Sequence, residues 1–257
     1  MLSDEDLIRY SRQVIIPGIQ EEGQKVLMSK SIVIIGAGGL GCPVALYCAA
    51  AGFGNIEIWD NDKIELSNLN RQVGHIFSNI GKAKSDSLSD RCRKINPQIN
   101  ISSKNKKFEI NSNIDKHDIV FDCSDNIETR YLINKLAHKK QKILISGSAT
   151  QLEGQVAVFK SGLDKKHACY ECIFPRQKDG YVNNSCREAG ILGSVTNLIA
   201  SIQVTEGIRE SLIENRSDNS NLFLNKSNSN VLIMYDASLQ EINKIEISKN
   251  KKCKICN

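Results

Sequence analysis

Residues 31–41 read SIVIIGAGGLG, and the fold follows from them. The first five are an unbroken apolar run rich in β-branched side chains, the pattern of a parallel strand buried on both faces. The run ends in a turn carrying Gly36, Gly38 and Gly41. LGCPVALYCAAAG then reads as a helix that tolerates Pro43 in its first turn and stops at Gly52, and NIEIWD at 55–60 reads as a second strand. Strand, glycine turn, helix and strand make the βαβ unit of a Rossmann-like, nucleotide-binding α/β fold. In that unit missing side chains admit phosphate to the backbone, and the helix N-terminus faces the negative charge. The alternative role for such a turn is tight packing alone.

The same grammar extends in both directions. Ser3 followed by Asp4, Glu5 and Asp6 is a helix start running to about Arg12, and a second helix is expected over Gln20 to Met28. Downstream, a helix beginning near Asn79 closes at DRCRKINP, ISSK is a weak strand, and DIVFDCSDN and KILISG are further strands. Alternation up to Gly147 predicts an open, mostly parallel sheet. Beyond it QVAVFK, VLIMYD and INKIEIS read as strands, with one long helix between Ser194 and Leu212, so the second half is expected to extend the same sheet with antiparallel strands. The Ser- and Asn-rich stretch from Arg216 to Asn230 is expected to be a mobile surface loop. The chain is thus read as a single domain over 1–257, with a nucleotide-binding half at 1–147 and a second half at 148–257.

Composition narrows the function classes. The 257 residues, 40% hydrophobic, are enough for one sizeable core. The net charge of +5 is dispersed and only one Trp is present, so nothing suggests nucleic-acid binding. The longest apolar runs fall short of a membrane span and MLSDEDLIRY has no signal-peptide profile, which predicts a cytoplasmic protein with no membrane partner. Nine cysteines suit metal binding or catalysis in a reducing compartment better than a disulfide framework.

Residues 60–72, DNDKIELSNLNRQ, carry the chemistry. Asp60 stands about 20 residues beyond the glycine turn, where this fold keeps a ribose-binding acid. A hydride-transfer enzyme needs little charge after that acid, but here Asp62, Asn68, Arg71, Gln72 and the downstream Lys84 follow. Guanidinium and ammonium groups stabilise charge developing on a transferring phosphoryl or nucleotidyl group. The bland alternative is a solvated loop. FDCSDN puts Asp122, Asp125 and Asn126 at the carboxyl end of a later strand; Asp125 is the candidate magnesium ligand, and Asp122 is either a second ligand or a structural cap.

The cysteines divide by spacing. Cys169-x-x-Cys172 and Cys253-x-x-Cys256 together supply four thiolates for a closed, structural zinc site, tying the C-terminal tail to the middle of the fold. Cys42, Cys48, Cys92 and Cys123 lie in apolar or helical settings and should pack as small hydrophobes. Cys186, beside Arg187 in NNSCREAGILGS, is either an ordinary surface thiol or a loop nucleophile.

RYSRQVIIPGIQEEGQKVL, GAGGLGCPVALYCAAAGFG, DNDKIELSNLNRQ, DCSDNIETR, CYEC, CREAGILG and CKIC occur in that order over nearly the whole chain. Together they resemble the HesA/MoeB/ThiF family, related to ubiquitin-activating enzymes. The resemblance implies an adenylyltransferase that uses ATP to activate the C-terminal glycine carboxylate of a small ubiquitin-like sulfur carrier ending in Gly-Gly, in thiamine or molybdopterin biosynthesis. It implies nucleotide contacts from Gly39 and Asp60 and phosphate contacts from Ser67, Asn68, Leu69, Asn70 and Arg71. It further implies charge neutralisation by Arg71 and Lys84, triphosphate positioning by Gln72, and magnesium on Asp125 with Asn126 lining the same site. A homodimer is implied, with Arg12 reaching the partner's ATP, and the four paired cysteines match the family's zinc ligands.

In thiamine-pathway relatives a cysteine at the place of Cys186 bonds covalently to the carrier. CR after the polar stretch is ThiF-like, whereas EGQ at Glu153 to Gln155 and MYDA at Met234 to Ala237 are MoeB-like, so the carrier stays open. Ser194 departs from the family's usual proline, which puts the course of that loop in question. The chain ends soon after CKIC, so sulfur is expected from a separate donor protein. Two other functions compete: adenylation of a peptide in natural-product synthesis, and an NAD-binding oxidoreductase or nucleotide sensor.

Overall fold

The apolar run at 31–35 is the middle of the parallel sheet. A computed structural model of the chain describes residues 1–176, 189–213 and 227–257. The chain begins with α1 (Asp4–Arg9), α2 (Ser11–Val14) and α3 (Gln20–Ser29), then β1 (Ser31–Ile35), α4 (Gly41–Ala51) and β2 (Asn55–Trp59). After 3-10 turns at Leu66–Asn68 and Phe77–Asn79 come α5 (Lys84–Ile95), β3 (Asn100–Lys104), β4 (Ile119–Asp122), α6 (Ile127–Lys139), β5 (Ile143–Thr150) and β6 (Glu153–Phe159). The short α7 (Tyr170–Ile173), the long α8 (Gly193–Ile213), β7 (Val231–Asp236) and β8 (Glu241–Glu246) complete the described elements.

All eight strands form one sheet in the order β3-β2-β1-β4-β5-β6-β7-β8. The pairings from β3 to β5 are parallel, those from β5 to β8 antiparallel, and the change occurs at the β5–β6 hairpin. There Gln151 takes a left-handed backbone, and Thr150 pairs with Glu153. The expected α/β fold with an antiparallel extension is therefore the observed one. Apolar residues cover both sheet faces. One side gathers α4 and the apolar residues of α8 around Ile32, Ile34 and Phe121, and the other gathers α6 around Val33, Val120 and Tyr131. Among the described residues no helix is long and apolar enough to cross a membrane.

Local chemistry explains most boundaries. Ser3 and Asp6 form a reciprocal capping box at the start of α1. Gly52, at φ 85°, closes α4 with the left-handed cap expected of it. The first helix stops short of Arg12 because Tyr10 turns inward to meet Asn96, whose Nδ2 donates to its hydroxyl at 2.8 Å. The helix expected from Asn79 begins only at Lys84, because Gly81 at φ 87° interrupts the chain between the 3-10 turn and α5. Ser194 lies in the first turn of α8, a position open to serine or proline alike because its N–H needs no helical partner. The mobile loop expected from Arg216 to Asn230 falls outside the described residues up to 226.

Candidate active site

Strand order reverses around β1: β2 and β3 lie on one side, β4 and β5 on the other. Connections leaving β1 and β4 diverge there and open a crevice at the carboxyl ends of the strands. The glycine turn sits in it, and its glycines do different jobs. Gly36 has φ 101°, and a β-carbon on it would lie 2.6 Å from the Cys123 carbonyl oxygen; one on Gly41 would lie 1.7 Å from the Gly36 oxygen. These two satisfy the turn and its packing against β4. A side chain on Gly38 would meet nothing nearer than Gln72 Nε2 at 3.7 Å, so there the backbone is left open. Packing and ligand access are both served, at separate positions.

The crevice holds a cavity of about 430 Å³, within the usual range for small-molecule sites. Of the residues singled out from sequence, Gly36, Gly38, Gly39, Asp60, Asp62, Asn70, Arg71, Gln72, Lys84, Asp125 and Asn126 line it. Gly41, Ser67, Asn68, Leu69 and Arg12 do not. Ser67 and Asn68 instead build the 3-10 turn: Asn68 Oδ1 accepts from the Glu65 N–H at 3.1 Å and Ser67 Oγ donates to Glu65 Oε2 at 3.2 Å. That turn presents Asn70, Arg71 and Gln72 to the cavity. Arg12 is exposed on α2. Cys186 and Arg187 lie outside the described residues.

Asp60, Lys84 and Arg71 each have a defined resting partner. Asp60 accepts from the Ala37 and Asp62 N–H groups, both at 2.7 Å, which ties the end of β2 to the glycine turn. Burial raises its carboxyl above the ordinary value, against the pull of those two N–H groups. Lys84, the first residue of α5, places Nζ 3.0 Å from Asp62 Oδ2 and is itself buried. Its backbone N–H donates to the Asp62 carbonyl at 2.9 Å, so main chain and side chain hold the pair together. Arg71 Nη1 donates to the Ser67 carbonyl and to Asn70 Oδ1, both at 3.0 Å. Gln72 is 4% exposed, and its Oε1 has no hydrogen-bond partner among the described residues. A buried acceptor left unpaired beside a cavity fits a site built for a donor-bearing ligand.

The alternatives left open for Asp122 are decided by its surroundings. Oδ1 accepts from the Ser124 N–H at 3.1 Å and its hydroxyl at 2.7 Å; Oδ2 accepts from Arg130 Nη1 at 3.1 Å and Ser146 Oγ at 2.8 Å. With its lone pairs engaged by protein, this carboxylate is structural. Asp125, three residues on, is exposed at the cavity, while Asn126 caps α6 by accepting from the Glu128 and Thr129 N–H groups at 2.9 and 3.1 Å. Arg130 also donates to the Gly147 carbonyl at 2.8 Å and to the Ser124 carbonyl, linking β4, β5 and α6 under the cavity floor. Sequence does not single it out, although DCSDNIETR places it one helical turn from the Asn126 cap. Lys106, Lys107, Phe108 and Trp59 also line the cavity, the first three from the irregular connection after β3, where no periodicity marks them.

The paired cysteines meet. Cys169 and Cys253 sulfurs are 3.5 Å apart, Cys172 and Cys256 3.4 Å, Cys169 and Cys172 3.9 Å, and all four fall within 4.8 Å of one another. A tetrahedral zinc with Zn–S bonds of about 2.3 Å spaces its sulfurs by about 3.8 Å, so the set is compatible with zinc. Burial raises the Cys253 thiol, but hydrogen bonds to its sulfur from the backbone of Cys256 and Ile255 outweigh this and leave it below the ordinary value. Cys42, Cys48, Cys92 and Cys123 are all buried, and burial pushes the thiols of Cys42 and Cys92 up to about 12, as packed and unreactive cysteines require.

Comparison with known proteins bears on the whole chain. The chain is 40% identical over 211 residues to adenylyltransferase and sulfurtransferase MOCS3 of Culex quinquefasciatus, covering 81% of this chain and 48% of that protein. It is 36% identical over 260 residues to MOCS3 of Drosophila grimshawi, covering 100% and 55% respectively. The chain thus spans about half the length of the curated relatives it matches. Among solved structures, E. coli MccB with ATP superposes with a TM-score of 0.72 at 22% identity, covering 91% of this chain and 69% of that one. A complex of E. coli MccB with MccA gives 0.75 at 22% identity, covering 99% and 75%. These superpositions establish a shared fold. The ThiF family model matches residues 10–255, and with the glycine turn, the charged cavity and the four-cysteine cluster in their family order, the chain belongs to the ThiF family.

Proposed function

We propose that this protein is an ATP-dependent adenylyltransferase that activates the C-terminal glycine carboxylate of a small ubiquitin-like sulfur carrier. The observation that carries the reading is the cavity at the strand-order reversal, which combines an open glycine backbone, a buried unpaired Gln72 acceptor, the cations Arg71 and Lys84, and an exposed carboxylate, Asp125. Asp60 takes the ribose, and Arg71 and Lys84 face the phosphates. Asp125 holds the magnesium that accompanies a triphosphate, a cation suited to one or two carboxylates plus phosphate oxygens. The carrier carboxylate is already a nucleophile, so the chain needs no general base. Positioning and charge neutralisation supply the rate. Residues 1–147 form the nucleotide half, and 148–257 the half that meets the carrier and holds structural zinc on Cys169, Cys172, Cys253 and Cys256.

The test is carrier-dependent exchange of labelled pyrophosphate into ATP, using each Gly-Gly-terminated carrier from the protein's own source. Exchange with one of them is expected; none with any would overturn the reading. A second reading, adenylation of a peptide, draws on the fold shared with E. coli MccB, which has been solved with ATP and with N-formylated MccA. Exchange driven by a peptide ending in something other than Gly-Gly would favour it.

We further propose a homodimer in which Arg12 serves the partner's site. Arg12 is exposed and does not line its own cavity, and Leu66, Val73, Ile76, Phe77 and Ile80 expose apolar surface along the segment that carries Asn70, Arg71 and Gln72. Arg12→Ala and Asp125→Ala should each be inactive alone. Mixed in equal amounts and allowed to exchange subunits, they should recover about a quarter of wild-type exchange activity, the share of sites that random pairing leaves intact. No recovery in a verified heterodimer would place Arg12 outside the partner's site.

A further inference from the structure

Trp59 is the only tryptophan of the chain, the last residue of β2 and the immediate neighbour of Asp60. Strand alternation turns it to the same sheet face as Glu57. There its Nε1 donates to Glu57 Oε1 at 2.7 Å, and its ring meets Phe108 edge-on, with centroids 5.5 Å apart and planes at 80°. Glu57 is 4% exposed; its other oxygen lies 2.9 Å from Lys116 Nζ and 3.4 Å from Ser102 Oγ. A buried carboxylate is costly to hold in a sheet, and this one is held in hydrogen-bond reach of an indole. Burial raises its carboxyl, yet the bonds from Lys116 and Trp59 outweigh burial and keep it below the ordinary value.

Trp59 also stands at a boundary. It lines the 430 Å³ cavity and, with Glu57, an adjoining groove of about 640 Å³; with Lys106 and Lys107, which also line both, it forms the boundary between them. In this fold phosphate lies at the turn after β1 and ribose at the acid after β2. The base attached to that ribose therefore points toward the side of β2 and β3, where Trp59 and Phe108 stand.

We infer that Trp59 is the specificity-determining wall of the nucleobase subsite and that Glu57 is the positioning residue that fixes its indole. The inference rests on the reading of the cavity as a nucleotide site, and it names the pair of side chains that would choose the base. An aromatic wall of this size favours a purine through its larger stacking face.

Calorimetry and tryptophan fluorescence on the full chain test it together, with ATP and CTP as titrants. ATP should bind by calorimetry and shift Trp59 emission saturably with the same dissociation constant. Trp59→Leu should weaken ATP binding about tenfold or more and narrow the preference for ATP over CTP. Glu57→Ala should weaken ATP binding and change the Trp59 emission of the free protein, while Glu57→Gln, which keeps an acceptor for the indole, restores both. ATP binding by calorimetry with unchanged emission in the wild-type protein would overturn the inference without any variant and leave the nucleotide site standing. Unchanged ATP affinity in a folded Trp59→Leu would overturn it as well. Absence of ATP binding by calorimetry would instead overturn the nucleotide reading itself.

Discussion

Arg71→Ala is expected to lower carrier-dependent pyrophosphate exchange by about 10²–10³-fold, the loss typical when one preorganised donor to a developing charge is removed. The guanidinium is held at the cavity by the Ser67 carbonyl and Asn70, contacts within its own loop that secure no other element. Stability should therefore change by no more than about 0.5 kcal/mol, as for most substitutions of this kind. Thermal unfolding measured beside the exchange rate separates the two effects. A rate within about threefold of wild type would remove Arg71 from the triphosphate-handling group. Lys84 makes the informative contrast. Its buried ammonium already has Asp62 as a partner at 3.0 Å, so Lys84→Ala, which removes that pair and the buried side chain, should lose both rate and stability.

Stripping the four-cysteine cluster should give the largest change in stability. The wild-type protein is expected to carry one zinc per chain, and Cys172→Ser with Cys256→Ser, or a strong chelator, should reduce that content to near zero. Cys169 and Cys172 flank the start of α7, while Cys253 and Cys256 lie in the tail beyond β8. The cluster is thus the tie between segments about eighty residues apart in sequence, and a loop closure of that length contributes several kcal/mol. A loss of about 3–5 kcal/mol would lower the melting temperature by about 6–20 °C for a domain of this size. Below the new transition ATP affinity should be unchanged, because a closed four-thiolate site has no open coordination position. Full stability without metal would return the cysteines to the role of ordinary packed thiols.

Much of this architecture is legible in the amino-acid order itself. The pattern SIVIIGAGGLG requires a buried strand followed by a turn that only glycines can make, and the structure gives the reason at Gly36 and Gly41, where a β-carbon would strike backbone oxygen. Asp60, Arg71, Gln72, Lys84 and Asp125 are identifiable because the chain advances from strand end to strand end. Residues at the carboxyl ends of parallel strands must converge. The two CxxC pairs announce their own meeting. Ser67, Asn68 and Leu69 are less transparent: from sequence they belong with the phosphate-facing run, but the 3-10 turn spends the Ser67 hydroxyl on the Glu65 carboxylate and the Asn68 amide oxygen on the Glu65 N–H. Arg130, Trp59 and Phe108 give no periodic signal, since their roles depend on partners far away in sequence or on an irregular connection.

The sequence alone determined the fold class, the order of the strands' contributions to the cavity, the four-cysteine set and the family. These depend on local pattern and spacing, which survive without knowledge of distant contacts. Only the tertiary structure decided that Asp122 is structural rather than a metal ligand, that Lys84 rests against Asp62, that Gln72 keeps a buried oxygen unpaired among the described residues, and that the lone tryptophan stands between two cavities on a carboxylate of its own strand. Each of these turns on whether a polar group's hydrogen bonds are already taken. That count is settled by neighbours brought together in space, and no spacing along the chain encodes it.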